Sequence, residues 1–341
     1  MADPLLKVKE ACRMLPGVLT LDKISGAILG AFTGDALGMP VEGWSFREIS
    51  ERYGEIKEIL PGRLKAGSYT DDTEMMIGIA ESLIECGTFN DQHMALAFCR
   101  NYNQRRGYGS GTTRVLQLIK SGTPWEQAVK EVFPGGSYGN GAAMRIAPVA
   151  CLYVGRPDEL RKFAAGSARL THAHPQAIEG AALQASAVAL ALTADSRYPL
   201  DKKGFLRSLK SSLSPEAGEY REKLDCVEKL LEIEPAVERI VRELGNGVKA
   251  IQSVCTCIYS FLANPGSFEK AVVKAVNLGG DTDTIGAMTG AISGAYHGRK
   301  GIPGRWLDHL EEGQKGRGYV EKLAAGLWFL LSNSQSCASL K

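Results

Sequence analysis

The 341-residue chain has almost no excess of charge of either sign: 40 Lys and Arg stand against 38 Asp and Glu, a formal net charge of +2. That balance excludes the electrostatic footprint by which basic proteins gather nucleic acid or anionic lipid, so no direct nucleic-acid binding is expected, and a bound anion has to be held by local geometry. Cysteine spacing of the zinc-binding kind is also missing. The eight cysteines contain no CxxC pair and only the CxC of Cys255 and Cys257, which fits neither a disulfide scaffold nor a zinc site. Reduced, mostly buried thiols and a cytoplasmic, intracellular setting are expected. Long apolar runs are few. The N-terminal stretch is interrupted by Lys7, Lys9, Glu10 and Arg13, so it lacks the apolar block of a secretion signal. The apolar segment 181–194 is too short to cross a bilayer and carries Gln184, so it is read as a buried helix of a soluble monomer without a membrane role.

Strand signals are the scarcest of all. Alternating β-branched and aromatic residues hardly occur, whereas apolar residues repeatedly fall three and four apart, which predicts an all-α fold. Helices are expected over 24–37, 74–85, 91–102, 111–120, 124–131, 157–170 and 176–193. More are expected over 215–231, 236–244, 248–262, 267–277, 284–297 and 318–331. They form one domain, 21–331, with an N-terminal extension 1–20 and a frayed C-terminal tail 332–341. Segment 195–245 is more charged and poorer in glycine, and reads as a peripheral helical insertion rather than a second domain.

What the chain has in quantity is glycine, 39 residues, and its placement is informative. In SGAILGAFTGDALG the glycines are Gly26, Gly30, Gly34 and Gly38; in TIGAMTGAISGAYHG they are Gly286, Gly290, Gly294 and Gly298. A helix-interior glycine costs roughly 1 kcal/mol relative to alanine, so two ridges at every fourth residue predict two central helices in close backbone contact. Their acidic flanks predict an antiparallel pair, with Asp35 and Glu42 ending one helix where Asp281 and Asp283 begin the other. Other glycines cluster in loops at 107–111, 135–141 and 279–280.

Two Thr/Asp clusters stand at predicted helix starts: Thr70, Asp71 and Asp72 in YTDDTEM, and Asp281, Asp283 and Thr284 in GGDTDT. Either could be ordinary N-terminal capping. Together with Asp35 they supply carboxylates and hydroxyls but no thiolate or imidazole, a donor set suited to Mg2+ or Mn2+ rather than zinc or copper. Converging carboxylates would repel one another and raise their own pKa values, a conflict that a binuclear metal site resolves.

The motifs GDALGMPVEG, YTDDTEM, GSYGNGAAMR, LTHAH and LGGDTDTIGAMTGAISGAY resemble, in order, those of the ADP-ribosylglycohydrolase family. The resemblance runs from about Ile24 to Gly298 and implies a single multi-helix domain with two Mg2+ ions in a central cleft. It assigns Thr70, Asp71, Asp72, Asp281, Asp283 and Thr284 to the metals, and Glu42 to the scissile bond. It assigns Gly109, Gly136, Ser137, Tyr138, Gly139, Asn140 and His172 to substrate binding, and Asp35, on the first ridged helix, is expected to contact the substrate as well. RGYGSG, GSYGNG and ELGNG further resemble the vertebrate branch, which implies hydrolysis of ADP-ribosylserine in proteins, of poly(ADP-ribose) and of O-acetyl-ADP-ribose, releasing ADP-ribose. Met39, Pro40 and Val41 depart from the bulkier, aromatic-containing sequence of that branch.

The glycine-rich loops suit a diphosphate for a physical reason as well, because glycine permits the positive φ angles that turn successive amides inward. Neither loop ends in GK[ST], so they are not P-loops. Tyr138 and Phe133 are candidates for an aromatic face toward adenine. Two other readings stay open: hydrolysis of N-linked ADP-ribosylarginine, as in the dinitrogenase reductase-activating branch, and a non-catalytic ADP-ribose reader or crystallin-like structural protein.

Overall fold

A computed structural model describes residues 18–338, with side chains through 333. It is 69% helical, with 17 helices and no strand among the described residues. The two glycine-ridged segments form its centre, as helices Leu21–Gly38 and Thr282–His297. Every residue from Lys23 to Gly38 is buried, as is every residue from Thr282 to Tyr296.

The ridges meet glycine to glycine. A Cβ atom added to Gly26 would lie 2.2 Å from the Gly294 carbonyl oxygen, one on Gly30 2.2 Å from Gly290 O, and one on Gly34 2.0 Å from Gly286 O. On Gly38 it would lie 2.3 Å from Thr282 O. Each step of four forward on one helix is matched by four backward on the other, so the pair is antiparallel and in glycine register along its whole length. That register brings the C-terminal end of one helix to the N-terminal end of the other. Gly30→Leu or Gly290→Leu is therefore expected to force the axes apart at a cost of roughly 1 to 3 kcal/mol or more. Urea denaturation would measure the loss, and Mg2+ affinity should fall with it; unchanged stability in both variants would contradict the close approach.

Around this pair pack Phe268–Val276, Ala250–Ala263, Pro175–Thr193 and Arg317–Ala338. Segment 195–245 folds as three helices, Lys202–Ser212, Gly218–Leu231 and Val237–Leu244, whose Phe205, Leu209, Tyr220, Leu224 and Ile240 join the same hydrophobic core. All the helices expected from periodicity are present, with ends shifted by a few residues, and the last continues past Leu331 to Ala338. Residues 1–17 of the expected N-terminal extension lie outside the described part.

Four short helices escape the periodicity reading: Phe46–Tyr53, Ala147–Leu152, Lys202–Ser212 and Gly304–His309. The first had a legible signal in its SFRE start. Ser45 and Glu48 form a reciprocal capping box that satisfies the first amides. The six-residue Ala147–Leu152 and Gly304–His309 helices are too short to show a 3.6-residue period.

Of the described cysteines, all free, Cys99, Cys151, Cys255 and Cys257 are buried and Cys86 and Cys226 half-buried. By length and composition the stretch Leu21–Val41 could cross a membrane, but it is 94% buried inside the protein. A helix hydrophobic on all sides is also what a central packing position demands.

Candidate active site at the ends of the ridged helices

After Gly38 the chain makes a 3-10 turn, Met39–Val41, with Met39 and Val41 buried, and emerges at Glu42. The strap that follows is pinned to the GGDTDT turn. Gly43 N–H donates to Gly280 O at 2.8 Å, Gly280 N–H donates to Trp44 O at 2.7 Å, and Ser45 bridges Gly279. Gly279 and Gly280 both have positive φ, 72° and 78°, and a Cβ on Gly279 would lie 2.5 Å from Phe46 N. Glycine is thus required at this crossing. The result is a cluster in which carboxylate oxygens of Glu42, Asp281 and Asp283 all lie within 4.8 Å of one another.

Asp281 occupies the N-cap position of the second ridged helix but makes no capping bond. Its Oδ2 instead accepts from Asn140 Nδ2 at 2.5 Å, and that same amide donates to Ser253 Oγ at 3.0 Å. Asp283 Oδ1 accepts from the Thr284 amide at 2.9 Å. Among the described residues a cation faces the cluster: Arg63 donates to Glu42 Oε2 from Nη2 at 2.8 Å and Nε at 3.0 Å, and stands 3.6 Å from Asp283 Oδ2. It is anchored from behind by Nη1 donating to Arg106 O at 3.1 Å.

The YTDDTEM segment arrives from a third direction, as the start of helix Asp71–Cys86, and Asp35 holds it there. Fully buried Asp35 accepts from the Thr70 amide at 3.0 Å, the Thr73 amide at 3.2 Å and the Thr73 hydroxyl at 2.6 Å. A substrate contact was expected of Asp35. With no exposed surface and its oxygens taken by the helix start, it is a brace behind the cluster. Thr70 caps the helix, accepting from the Asp72 amide at 3.2 Å. Asp72 Oδ1 accepts from the Thr284 hydroxyl at 3.4 Å, joining the two clusters, whereas its Oδ2 is buried without a partner among the described residues.

That orphaned oxygen is one sign that the site is built for a cation. Another is the titration of its neighbours. Burial, then the charge of Asp35, pushes Asp71 up to about 8. Burial also raises Asp72 and Asp283 well above the carboxylate range, with the charges of Asp35, Asp71 and Asp281 adding to it at Asp72 and those of Asp72, Asp281 and Glu42 at Asp283. An all-oxygen donor set whose members resist ionisation together fits a hard divalent ion such as Mg2+.

A pH dependence follows. These carboxylates ionise near 3.8 in the unfolded chain and higher in the folded one, so they lower stability as pH rises between the two values. His172, drawn down to about 3 by burial and by Arg145, works in the opposite direction, but its contribution is complete above 6.5. Lys23, lowered by burial to about 8, contributes its own change only above that value. Metal-free protein should therefore lose stability from pH 6.5 to 8 in urea titrations, and saturating Mg2+ should remove the loss. A flat or rising metal-free curve in that window would contradict it.

The GSYGNG loop adjoins the carboxylate cluster through Asn140. Gly136 needs its φ of 77°, because a Cβ there would lie 2.3 Å from His174 N. Ser137 Oγ accepts from the Gly139 amide at 3.3 Å, and Gly139 bridges Lys249. Tyr138 is 50% exposed, edge-on to His174 at 6.1 Å, with Lys249 Nζ 5.6 Å over its ring. Asn140 is buried and serves Asp281, so it couples this loop to the carboxylate cluster. His172 lies beneath Gly139 and Gly141. Gly109 is open, with nothing within 4 Å of an added Cβ, at the start of helix Ser110–Lys120. Phe133 instead packs over Gly111, where a Cβ would come within 2.0 Å of its Cζ.

Several residues that shape the site carried no motif signal. Arg63 sits in an irregular loop of undistinguished sequence, and only the folded chain brings it 21 residues back to Glu42. Thr73 was legible only as a helix-start residue, and Ser253 only as part of an apolar helix.

The family model for ADP-ribosylglycohydrolase matches residues 17–336. An uncharacterized protein of Archaeoglobus fulgidus is 36% identical over 317 residues, covering 91% of this chain and 97% of its own. The ADP-ribosylhydrolase ARH3 of Bos taurus is 34% identical over 327 residues, covering 86% of this chain and 89% of its own. A solved structure described as an ADP-ribosylglycohydrolase-related protein complex superposes with a TM-score of 0.72 at 32% identity, covering 91% of this chain and 98% of that one. With matches of this extent, the chain is a glycosidic hydrolase for ADP-ribosylated substrates and belongs to the ADP-ribosylglycohydrolase family.

Proposed function

We propose that this hydrolase releases ADP-ribose from O-linked acceptors, ADP-ribosylserine in proteins, poly(ADP-ribose) and O-acetyl-ADP-ribose, with two Mg2+ ions for which Mn2+ can substitute. The observation that carries this reading is the convergence of Glu42, Asp281 and Asp283 within 4.8 Å, beside a buried Asp72 with an unpartnered oxygen. The O-linked preference is supported by RGYGSG and GSYGNG, and by the similarity to relatives called ADP-ribosylhydrolase ARH3.

Thr70, Asp71, Asp72, Asp281, Asp283 and Thr284 would hold the ions. When bound, Mg2+ supplies Lewis-acid polarisation and a template for ribose hydroxyls and water. The chain does the rest. Gly136, Ser137, Tyr138 and Gly139 hold the diphosphate side, with Tyr138 and Gly109 at the open edge of the cleft. Asn140 fixes Asp281, and Asp35 fixes the Thr70 to Asp72 segment, so the two carboxylate groups keep their relative positions. Glu42 is more exposed than its partners and exchanges a proton with water or with the leaving oxygen as the anomeric carbon passes through an oxocarbenium-like state. Arg63 steadies the Glu42 carboxylate through two donors on one oxygen, leaving Oε1 for the reaction.

Incubation with serine-linked and arginine-linked ADP-ribosyl peptides, with and without Mg2+, tests the proposal. Release from the serine peptide only, and only with Mg2+, is expected. Release from the arginine peptide alone would move the chain to the N-linked activity, and release from neither would favour a reader.

A further inference from the structure

Linked to His172 through Thr171 is Arg145, a guanidinium with no exposed surface. It stacks over the Phe98 ring at 4.6 Å and its Nη1 stands 3.3 Å from Met75 Sδ. Its Nη2 donates to Ser167 O at 2.9 Å and to Thr171 Oγ1 at 2.9 Å. Arginine has donors only, so the Thr171 hydroxyl must accept from it and keep its own hydrogen for another partner. Among the described residues the remaining partner of that oxygen is His172 Nδ1, at 2.7 Å. Thr171 is fully buried, and a buried hydroxyl hydrogen left without an acceptor is costly. It therefore points at Nδ1, which makes Nδ1 the acceptor and leaves the ring proton on Nε2.

The Nε2 edge is the one turned toward the GSYGNG loop. A Cβ on Gly141 would lie 2.8 Å from Nε2 and 2.5 Å from Cε1, and one on Gly139 would lie 3.3 Å from Nε2. We propose that Arg145 and Thr171 are positioning residues that fix His172 as the Nε2–H tautomer, so that it presents a donor to an acceptor oxygen of ADP-ribose. The inference rests on the reading that this loop holds ADP-ribose. It explains why a cation is buried where it touches no carboxylate: Arg145 dictates the direction of the Thr171 hydrogen and thereby that of the imidazole. Burial, with a smaller contribution from the same cation, draws His172 down to about 3, so the ring stays neutral at physiological pH. A diphosphate or ribose oxygen then meets an N–H, whereas the opposite tautomer would set a lone pair against it.

Long-range 1H–15N correlation spectra of the 15N-labelled full chain, with His172 assigned through His172→Gln, read the tautomer directly. A protonated Nε2 and unprotonated Nδ1 are expected, with a shift of the Nε2–H signal on adding ADP-ribose. Thr171→Val should mix the tautomers and weaken ADP-ribose binding about 2- to 10-fold, the worth of one net hydrogen bond, and Thr171→Ser should restore both. A wild-type Nδ1–H tautomer would overturn the proposal even where ADP-ribose still shifts the ring. So would a Thr171→Val protein with an unmixed Nε2–H ring and wild-type affinity. If Thr171→Val does not fold, the wild-type spectrum decides alone. The stated tautomer without any shift on ADP-ribose would instead remove the ligand reading, and with it the donor role.

Discussion

Glu42→Gln is expected to lower turnover of an O-linked substrate by about 100-fold or more, the scale of a lost general acid–base group, while ADP-ribose affinity changes much less. The substitution keeps the side chain's shape and an oxygen for Arg63, so the strap from Met39 to Ser45, held by backbone bonds to the Gly279–Gly280 turn, should not move. Only proton exchange is removed. Near-normal turnover would put the catalytic role on another group. A matched loss of turnover and of ADP-ribose affinity would instead make Glu42 a binding or metal-holding residue, which its 4.8 Å proximity to Asp281 and Asp283 makes a meaningful comparison.

The second large effect concerns the metal. Asp283→Ala should reduce Mg2+ affinity by more than the roughly 10- to 100-fold that changes outside the ligand shell typically cause. Calorimetry would measure it, and ADP-ribose affinity should fall in parallel because the ribose hydroxyls lose their template. Metal-free stability should respond in the opposite direction. Asp283 is held well above its ordinary pKa by burial and by Asp72, Asp281 and Glu42, so removing it relieves repulsion that the folded state bears at neutral pH. A variant that is more stable without Mg2+ yet no longer stabilised by it separates a ligand from a structural carboxylate. Wild-type Mg2+ binding in Asp283→Ala and in Asp281→Ala alike would sink the assignment.

The central helix pair was legible in the sequence because its cost is local. A run of glycines in a helix makes sense only if another backbone comes close, and two such runs with one spacing name each other as partners. Their direction followed from the position of the acidic residues. Periodicity likewise found the long helices, but it could not find Ala147–Leu152 or Gly304–His309, which complete fewer than two turns.

For the site, spacing showed which residues could act but not which way each one points. Asp35 and Asp72 are both acidic residues on motif helices, yet one is saturated by amides and the other keeps an orphaned oxygen. Asn140 was legible as a loop residue, and its bond to Asp281, 141 positions away, was not. Arg63 left no mark at all, and Arg145 showed only as the last residue of GSYGNGAAMR, without its partners. Each works through a side chain brought near by tertiary packing, and such partners have no fixed sequence offset.

The most direct test is ADP-ribose release from a serine-linked ADP-ribosyl peptide, measured at fixed enzyme over a series of free Mg2+ concentrations from a chelated baseline upward. No release is expected at the baseline, with a saturating rise as Mg2+ is added and no rise in Asp283→Ala. Release at full rate in the chelated sample would contradict the Mg2+ dependence.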